Sequence, residues 1–209
     1  MKPPWWRPTN LSININNAPK DQAKEHHEAL PKEQAKDPNI LCIYTDGSGI
    51  KGHIGAAAYS PTTLSTDHEY LGKDDMTNVY AAELTAIHLA VNTAEKSPSH
   101  FHRCSIFVDN QASIQAVNKL KQQSGQYIIA SIHHQLDRIK QQRPNLVFQI
   151  EWVPGHMDIQ GNEKADEEAK KTAEGKLTGE NPLLHCKLKL AQITRINTDI
   201  TTAAKIEWN

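Results

Sequence analysis

Apolar and polar positions change rhythm several times along the chain, and each change predicts an element. From Ile40 the run ILCIYTD stays apolar until it ends on an acid. The turn formers Gly47, Ser48 and Gly49 follow, which predicts a buried strand closing at Asp46. Residues 54–60 and 67–71 predict two more strands joined by a turn at Pro61, so the first three strands form an antiparallel meander. Over 79–95 helix formers carry apolar residues at helical spacing, with Thr77 or Asn78 placed to cap the start and Pro98 beyond the end. CSIFVD predicts a strand, 111–121 and 126–141 two helices, LVFQIEWV a strand and 162–173 a last helix. The order βββαβααβα implies an α/β fold, a five-stranded mixed sheet with helices on both faces.

The texture differs at both ends. Residues 1–39 mix Pro3, Pro4, Pro8, Pro19, Pro31 and Pro38 with polar residues, a composition that predicts a flexible linker. Residues 40–175 form the expected domain. Residues 176–209 read as a polar extension, partly helical over 185–208, where Leu188, Ala191 and Ile196 make a thin apolar stripe.

Composition narrows the setting. No apolar run approaches the roughly 20 residues of a membrane helix. The first ten residues lack the basic start and apolar stretch of a secretory signal, so an intracellular, non-membrane protein is expected. Cys42, Cys104 and Cys186 are too few and scattered for a disulfide framework and include no CxxC pair, so they read as reduced thiols. A net charge of −1 excludes a uniformly basic nucleic-acid binder. Any such grip is local: Lys119, Lys121, Arg138, Lys140 and Arg143 against Asp137 give the segment 111–145 a charge of +4 suited to a DNA backbone, although a solvated helix surface reads equally well.

Four acids occupy unusual places. Asp46 and Asp109 close apolar strands; if those strands are parallel neighbours, both carboxylates emerge at one sheet edge, where open α/β sheets bind ligands. Glu83 shares a helical line with Ile87, Ala90 and Ala94, and Asp166 lines up with Ala169 and Ala173, so both point inward. Singly, each is a turn former or a helix-surface charge. Together they would repel one another unless cations neutralise them, and all-oxygen ligation favours Mg²⁺ or Mn²⁺ over zinc. The chemistry that follows is phosphodiester hydrolysis.

TDGSG at 45–49, YAAELTAI at 80–87, FVDNQASI at 107–114 and WVPGHMDIQGNEKADEEAK at 152–170 resemble, in order, the motifs of type I ribonuclease H. The resemblance spans about Ile40 to Ala173, and its last motif is the most specific. VYAAEL, SGQYI and the wording VPGH with IQGNEKAD are similar to the ribonuclease H domain of fungal non-LTR retrotransposon polyproteins, and PPWW to the connection after a reverse transcriptase. The resemblance implies the ribonuclease H-like fold and cleavage of the RNA strand of RNA/DNA hybrids to 5′-phosphate and 3′-hydroxyl ends. It implies two Mg²⁺ ions, with Mn²⁺ able to substitute: Asp46 bridges both, Glu83 and Asp109 complete one site and Asp166 the other. It also implies His156 as a proton shuttle or aid to product release. Gly47, Ser48, Asn110, Gln111 and Asn162, beside the acids, would contact 2′-hydroxyls across a wide minor groove, or serve only as turn and cap residues. The basic, tryptophan-rich handle of some relatives is missing, since KQQSGQYI joins the two helices directly. The partners implied are the hybrid and a reverse transcriptase domain of a parent polyprotein, and the isolated domain is expected to be a monomer. The competing reading is a catalytically weak, nucleic-acid-binding remnant of such a polyprotein.

Overall fold

The computed structural model describes residues 11–14, 22, 24, 25, 29, 37–119 and 124–175. The expected helix over 185–208, most of the expected linker, Trp5, Trp6, Lys121 and Cys186 lie outside the described residues. Six strands and four helices carry the fold among those described. They are β1 (Leu11–Asn14), β2 (Ile40–Ile50), β3 (His53–Ser60), β4 (Ser65–Lys73), α1 (Val79–Lys96), β5 (Arg103–Val108), α2 (Gln111–Asn118), α3 (Gln126–Gln142), β6 (Val147–Trp152) and α4 (Gln160–Ala173).

The sheet runs in the order β1-β6-β5-β2-β3-β4. β2, β3 and β4 pair antiparallel, whereas β5 pairs parallel with β2 and β6 parallel with β5, as the βββαβααβα order requires. The strand count differs from the expected five. Leu11–Asn14 adds a sixth strand parallel to β6, with Leu11 opposite Phe148 and Ile13 opposite Ile150. Leu11 and Ile13 pack against the main core, and Ser12 Oγ donates to the Phe148 carbonyl at 3.3 Å.

Strand alternation divides the core into two layers. Leu41, Ile43, Ile54, Ala56, Ala58, Ile106 and Val108 face α1 and α3, where Leu84, Ile87, Ile129, Ile132 and Leu136 complete the larger cluster. Cys42, Tyr44 and Phe107 face the other way and join Val153, Ile159 and Ala165. α1 is buried along most of its length because it lies between the sheet and α3. α4 covers β2 and β3 on the opposite face with the small residues Ala165, Ala169 and Ala173, while Lys164, Glu167, Glu168 and Lys171 pair along its solvent side. Asn78 caps α1, its side chain accepting from the Ala81 N–H at 2.9 Å.

One local expectation fails. Gly47, Ser48 and Gly49 do not turn the chain after Asp46; β2 continues through them to Ile50, paired with β3. The first turn falls at Lys51 and Gly52, both with positive φ. The glycines serve a close approach instead. A Cβ on Gly47 would sit 2.5 Å from the Glu83 nitrogen, so α1 can reach the sheet only where β2 has no side chain.

Candidate metal centre

Parallel pairing sets Thr45 opposite Val108, so Asp46 and Asp109 follow at matching positions on neighbouring strands. The parallel arrangement that the sequence left conditional is the one observed. Glu83 enters from α1, whose first turns lie over the same end of β2 because Gly47 lets them. Carboxylate oxygens of Asp46, Glu83 and Asp109 lie within 4.8 Å of one another. Asp46 is 7% and Glu83 5% exposed, too buried for water to screen three like charges.

Each acid is held by the main chain or by an amide. The Gly47 N–H donates to both Asp46 and Glu83. Asn110 uses both ends of its side chain: the oxygen accepts from the Ser113 N–H at 3.1 Å and caps α2, and the amide donates to Glu83. Asn162, buried at the start of α4, donates to Asp109. Glu83 Oε2 and Asn162 Oδ1 remain buried with no hydrogen-bond partner.

The electrostatics follow from this crowding. Burial raises the Glu83 carboxyl to about 9, with Asp46 and Asp109 adding to the effect and Asn110 and Gly47 opposing it. Asp46 rises to about 7, first by burial and then by the charges of Asp109 and Asp166. Asp109 is raised by burial and by Asp166, against the hydrogen bond from Asn162 and the charge of His156. A cluster of this kind binds protons or a cation near neutral pH. Three carboxylates, one with an orphaned buried oxygen, fit a hard divalent ion held by oxygen.

Asp166 stands apart from the trio. It lies on α4, half-buried, and its Oδ2 accepts from Lys170 Nζ at 2.6 Å. It acts on Asp46 and Asp109 through its charge, while its carboxylate is engaged one turn along its own helix. The Asp166–Lys170 pair is visible in the sequence as an i, i+4 spacing, but both residues read there as unrelated members of one helix.

The remaining expected residues surround this end of the sheet. His156 is exposed in the loop between β6 and α4, at positive φ, close enough for its charge to favour the ionised form of Asp109. Ser48 is buried in β2, and Gln111 is half-buried at the first position of α2. A Cβ on Gly155 would meet Asp109 Oδ2 at 2.8 Å, so a side chain there would push that carboxylate out of its place.

The expected basic patch is largely committed elsewhere. Arg138 forms a two-pronged pair with Glu95 at 2.9 and 2.7 Å. Arg143 donates to carbonyls of Ala94, Ser97, Pro98 and Phe101, clamping the end of α1. Lys140 donates to the Pro144 carbonyl. The two arginines are structural members of the fold, and the local charge available to a DNA backbone is smaller than the sequence count.

Residues 38–174 match the family model described as RNase H. Among solved structures, the chain is similar to LC11-RNase H1, isolated from compost by a metagenomic approach and solved in complex with an RNA/DNA hybrid. Identity is 23%, covering 66% of this chain and 99% of that one, with a TM-score of 0.49. It is also similar to RNase H1 from the halophilic archaeon Halobacterium salinarum NRC-1, at 14% identity over 65% of this chain and 98% of that one, with a TM-score of 0.47. No curated protein matches the chain. With the family match running from β2 to the end of α4 and over every acid of the cluster, this chain belongs to the RNase H family and is by class a ribonuclease H.

Proposed function

We propose that the chain hydrolyses the RNA strand of RNA/DNA hybrids by a two-metal mechanism. The observation that carries this reading is the trio of buried Asp46 and Glu83 with half-buried Asp109, whose oxygens lie within 4.8 Å of one another. Asp46, Glu83 and Asp109 would hold one Mg²⁺, and Asp46 with Asp166 a second once Asp166 exchanges Lys170 for it. Bound there, divalent ions supply an acidified water for attack on phosphorus and charge neutralisation at the leaving 3′ oxygen. The protein's own part is to hold that geometry: Gly47, Asn110 and Asn162 orient the carboxylates through the donors described above. His156, exposed at the rim, carries a proton to or from the departing product. Hydrolysis breaks the P–O3′ bond and leaves 5′-phosphate and 3′-hydroxyl ends.

Gly47, Ser48, Asn110, Gln111 and Asn162 would read 2′-hydroxyls and the width of the minor groove, a test of shape with little base preference. The motif wording around Glu83 and His156 supports an origin in a fungal non-LTR retrotransposon polyprotein, where this activity would remove the RNA template behind a reverse transcriptase. Residues 1–39, apart from the strand Leu11–Asn14, and residues 176–209 would then join the domain, a monomer when isolated, to its neighbours. None of the described helices is long and apolar enough to cross a membrane.

The test is an end-labelled hybrid incubated with the full chain and Mg²⁺, beside single-stranded RNA, duplex RNA and duplex DNA. Cleavage confined to the RNA of the hybrid is expected. A folded protein that binds the hybrid and turns over none under Mg²⁺ or Mn²⁺ would instead be a binding remnant.

A further inference from the structure

The turn Asp109–Asn110 joins β5 to α2 and feeds two of the three clustered acids. Asp109 belongs to it directly, and Glu83 is held by the Asn110 amide. Its peptide plane therefore sets two carboxylates at once. The sheet ladder stops one residue short of it, because the last β5–β6 pair is Val108 with Trp152 and the Val153 N–H already donates to the Val108 carbonyl at 3.0 Å. The Asp109 carbonyl, just beyond, accepts instead from the indole Nε1 of Trp152 at 3.0 Å.

We infer that Trp152 is a positioning residue for the metal cluster: its indole N–H fixes the Asp109–Asn110 peptide and, through it, the Asp109 carboxylate and the amide that holds Glu83. Fixing the carbonyl fixes ψ of Asp109 and φ of Asn110 together, since both rotate the same plane. The indole is itself anchored. Its ring packs against the main core, and β6 is flanked on its outer side by β1, paired as far as Asn14 with Glu151. An aromatic ring of equal bulk without the N–H would fill the same space and leave the carbonyl unheld. The inference rests on the reading of the cluster as a metal site.

Two variants of the full chain test it. In one, Trp152 is replaced by 3-benzothienylalanine, which has the shape of tryptophan with sulfur in place of N–H; the other is Trp152→Phe. The first readout is amide hydrogen exchange in metal-free protein at Ser113, whose N–H is held by the Asn110 side chain. The second is Mg²⁺ affinity by calorimetry. Loss of one such bond should speed Ser113 exchange and weaken Mg²⁺ binding by about fivefold each, with β3 and β4 unchanged. Activity lost at low Mg²⁺ should return at high Mg²⁺, with KM for the hybrid unmoved. Wild-type Ser113 exchange in the benzothienyl variant overturns the inference. So does an equal quickening across β3 and β4, which would mean that the indole only fills space. If the wild-type chain neither binds Mg²⁺ nor cleaves hybrid, the metal reading fails on its own, and Ser113 exchange still decides what Trp152 does to the turn.

Discussion

Two buried polar regions meet on α1, and they are built on opposite principles. At its start, Glu83 faces Asp46 and Asp109, three acids with few donors among them and one oxygen that no group satisfies. Farther along, the seam with α3 sets donors against acceptors and opposite charges together, although Gln135 Oε1 is left without a partner there. His88 meets Ser131 at 3.2 Å and Asn92 at 3.5 Å; Gln135 donates to Asn92 and Glu95; Arg138 closes on Glu95. A network in which opposite charges and donors meet acceptors fixes how two helices sit, whereas a like-charged cluster costs stability and persists where a ligand completes it. Burial of polar groups does not by itself mark a site; an unbalanced sign does.

The sharpest break of this contrast is Asp109→Asn. The amide keeps shape and removes one repelling charge, so the metal-free protein should unfold at an equal or higher temperature while cleavage falls by roughly a thousandfold or more. Wild-type cleavage by this variant would show that the acids are misassigned. Arg143→Ala should behave in the reverse manner. Freeing the carbonyls at the end of α1 should cost about 2 to 4 kcal/mol in denaturant unfolding, with activity per folded molecule retained, and lysine should restore little because it lacks the planar fork.

Metal and pH probe the two regions separately. Asp46 and Glu83 are raised to about 7 and 9, so their stabilisation is complete below the ordinary carboxylate range and is lost as pH rises through those values. Mg²⁺ at a hundredfold over its Kd should add about 2 to 3 kcal/mol, and its effect on the melting temperature should grow from pH 5 to pH 9. An effect of Mg²⁺ that shrinks over that range would contradict the clustered carboxylates. His88 works at the other end of the scale. Burial, with the Arg138 charge adding, lowers it to about 4, so its neutral form stabilises the fold above pH 6.5 and that contribution is lost as pH falls from 6.5 towards 4. His88→Gln should flatten this acid limb by up to about 3 kcal/mol in a pH series of unfolding curves.

Much of this was legible along the chain because it depends on local rules. Asn78 caps α1 as its position predicts, and α3 runs over 126–142 against an expected 126–141 because apolar periodicity locates a helix well. Gly47, Ser48 and Gly49 misled for a physical reason: glycine marks both a turn and a close approach, and only the packing of α1 on β2 tells which. Leu11–Asn14 could not be read as a strand, since four residues carry little pattern and their partner lies more than a hundred positions away, with Leu11 opposite Phe148. Arg138 and Arg143 counted as free charge until their partners on and beside α1 were in view.

The acids themselves divide along the same line. Sequence alone determined that Asp46, Glu83, Asp109 and Asp166 are the residues of interest, because a charge at the end of an apolar run or on an apolar helix line is a local anomaly. Tertiary structure decided that three of them share one cluster while Asp166 pairs with Lys170 and acts on Asp46 and Asp109 through its charge. That division depends on a parallel β2–β5 register, a glycine under α1 and the approach of α4, none of which a one-dimensional pattern contains.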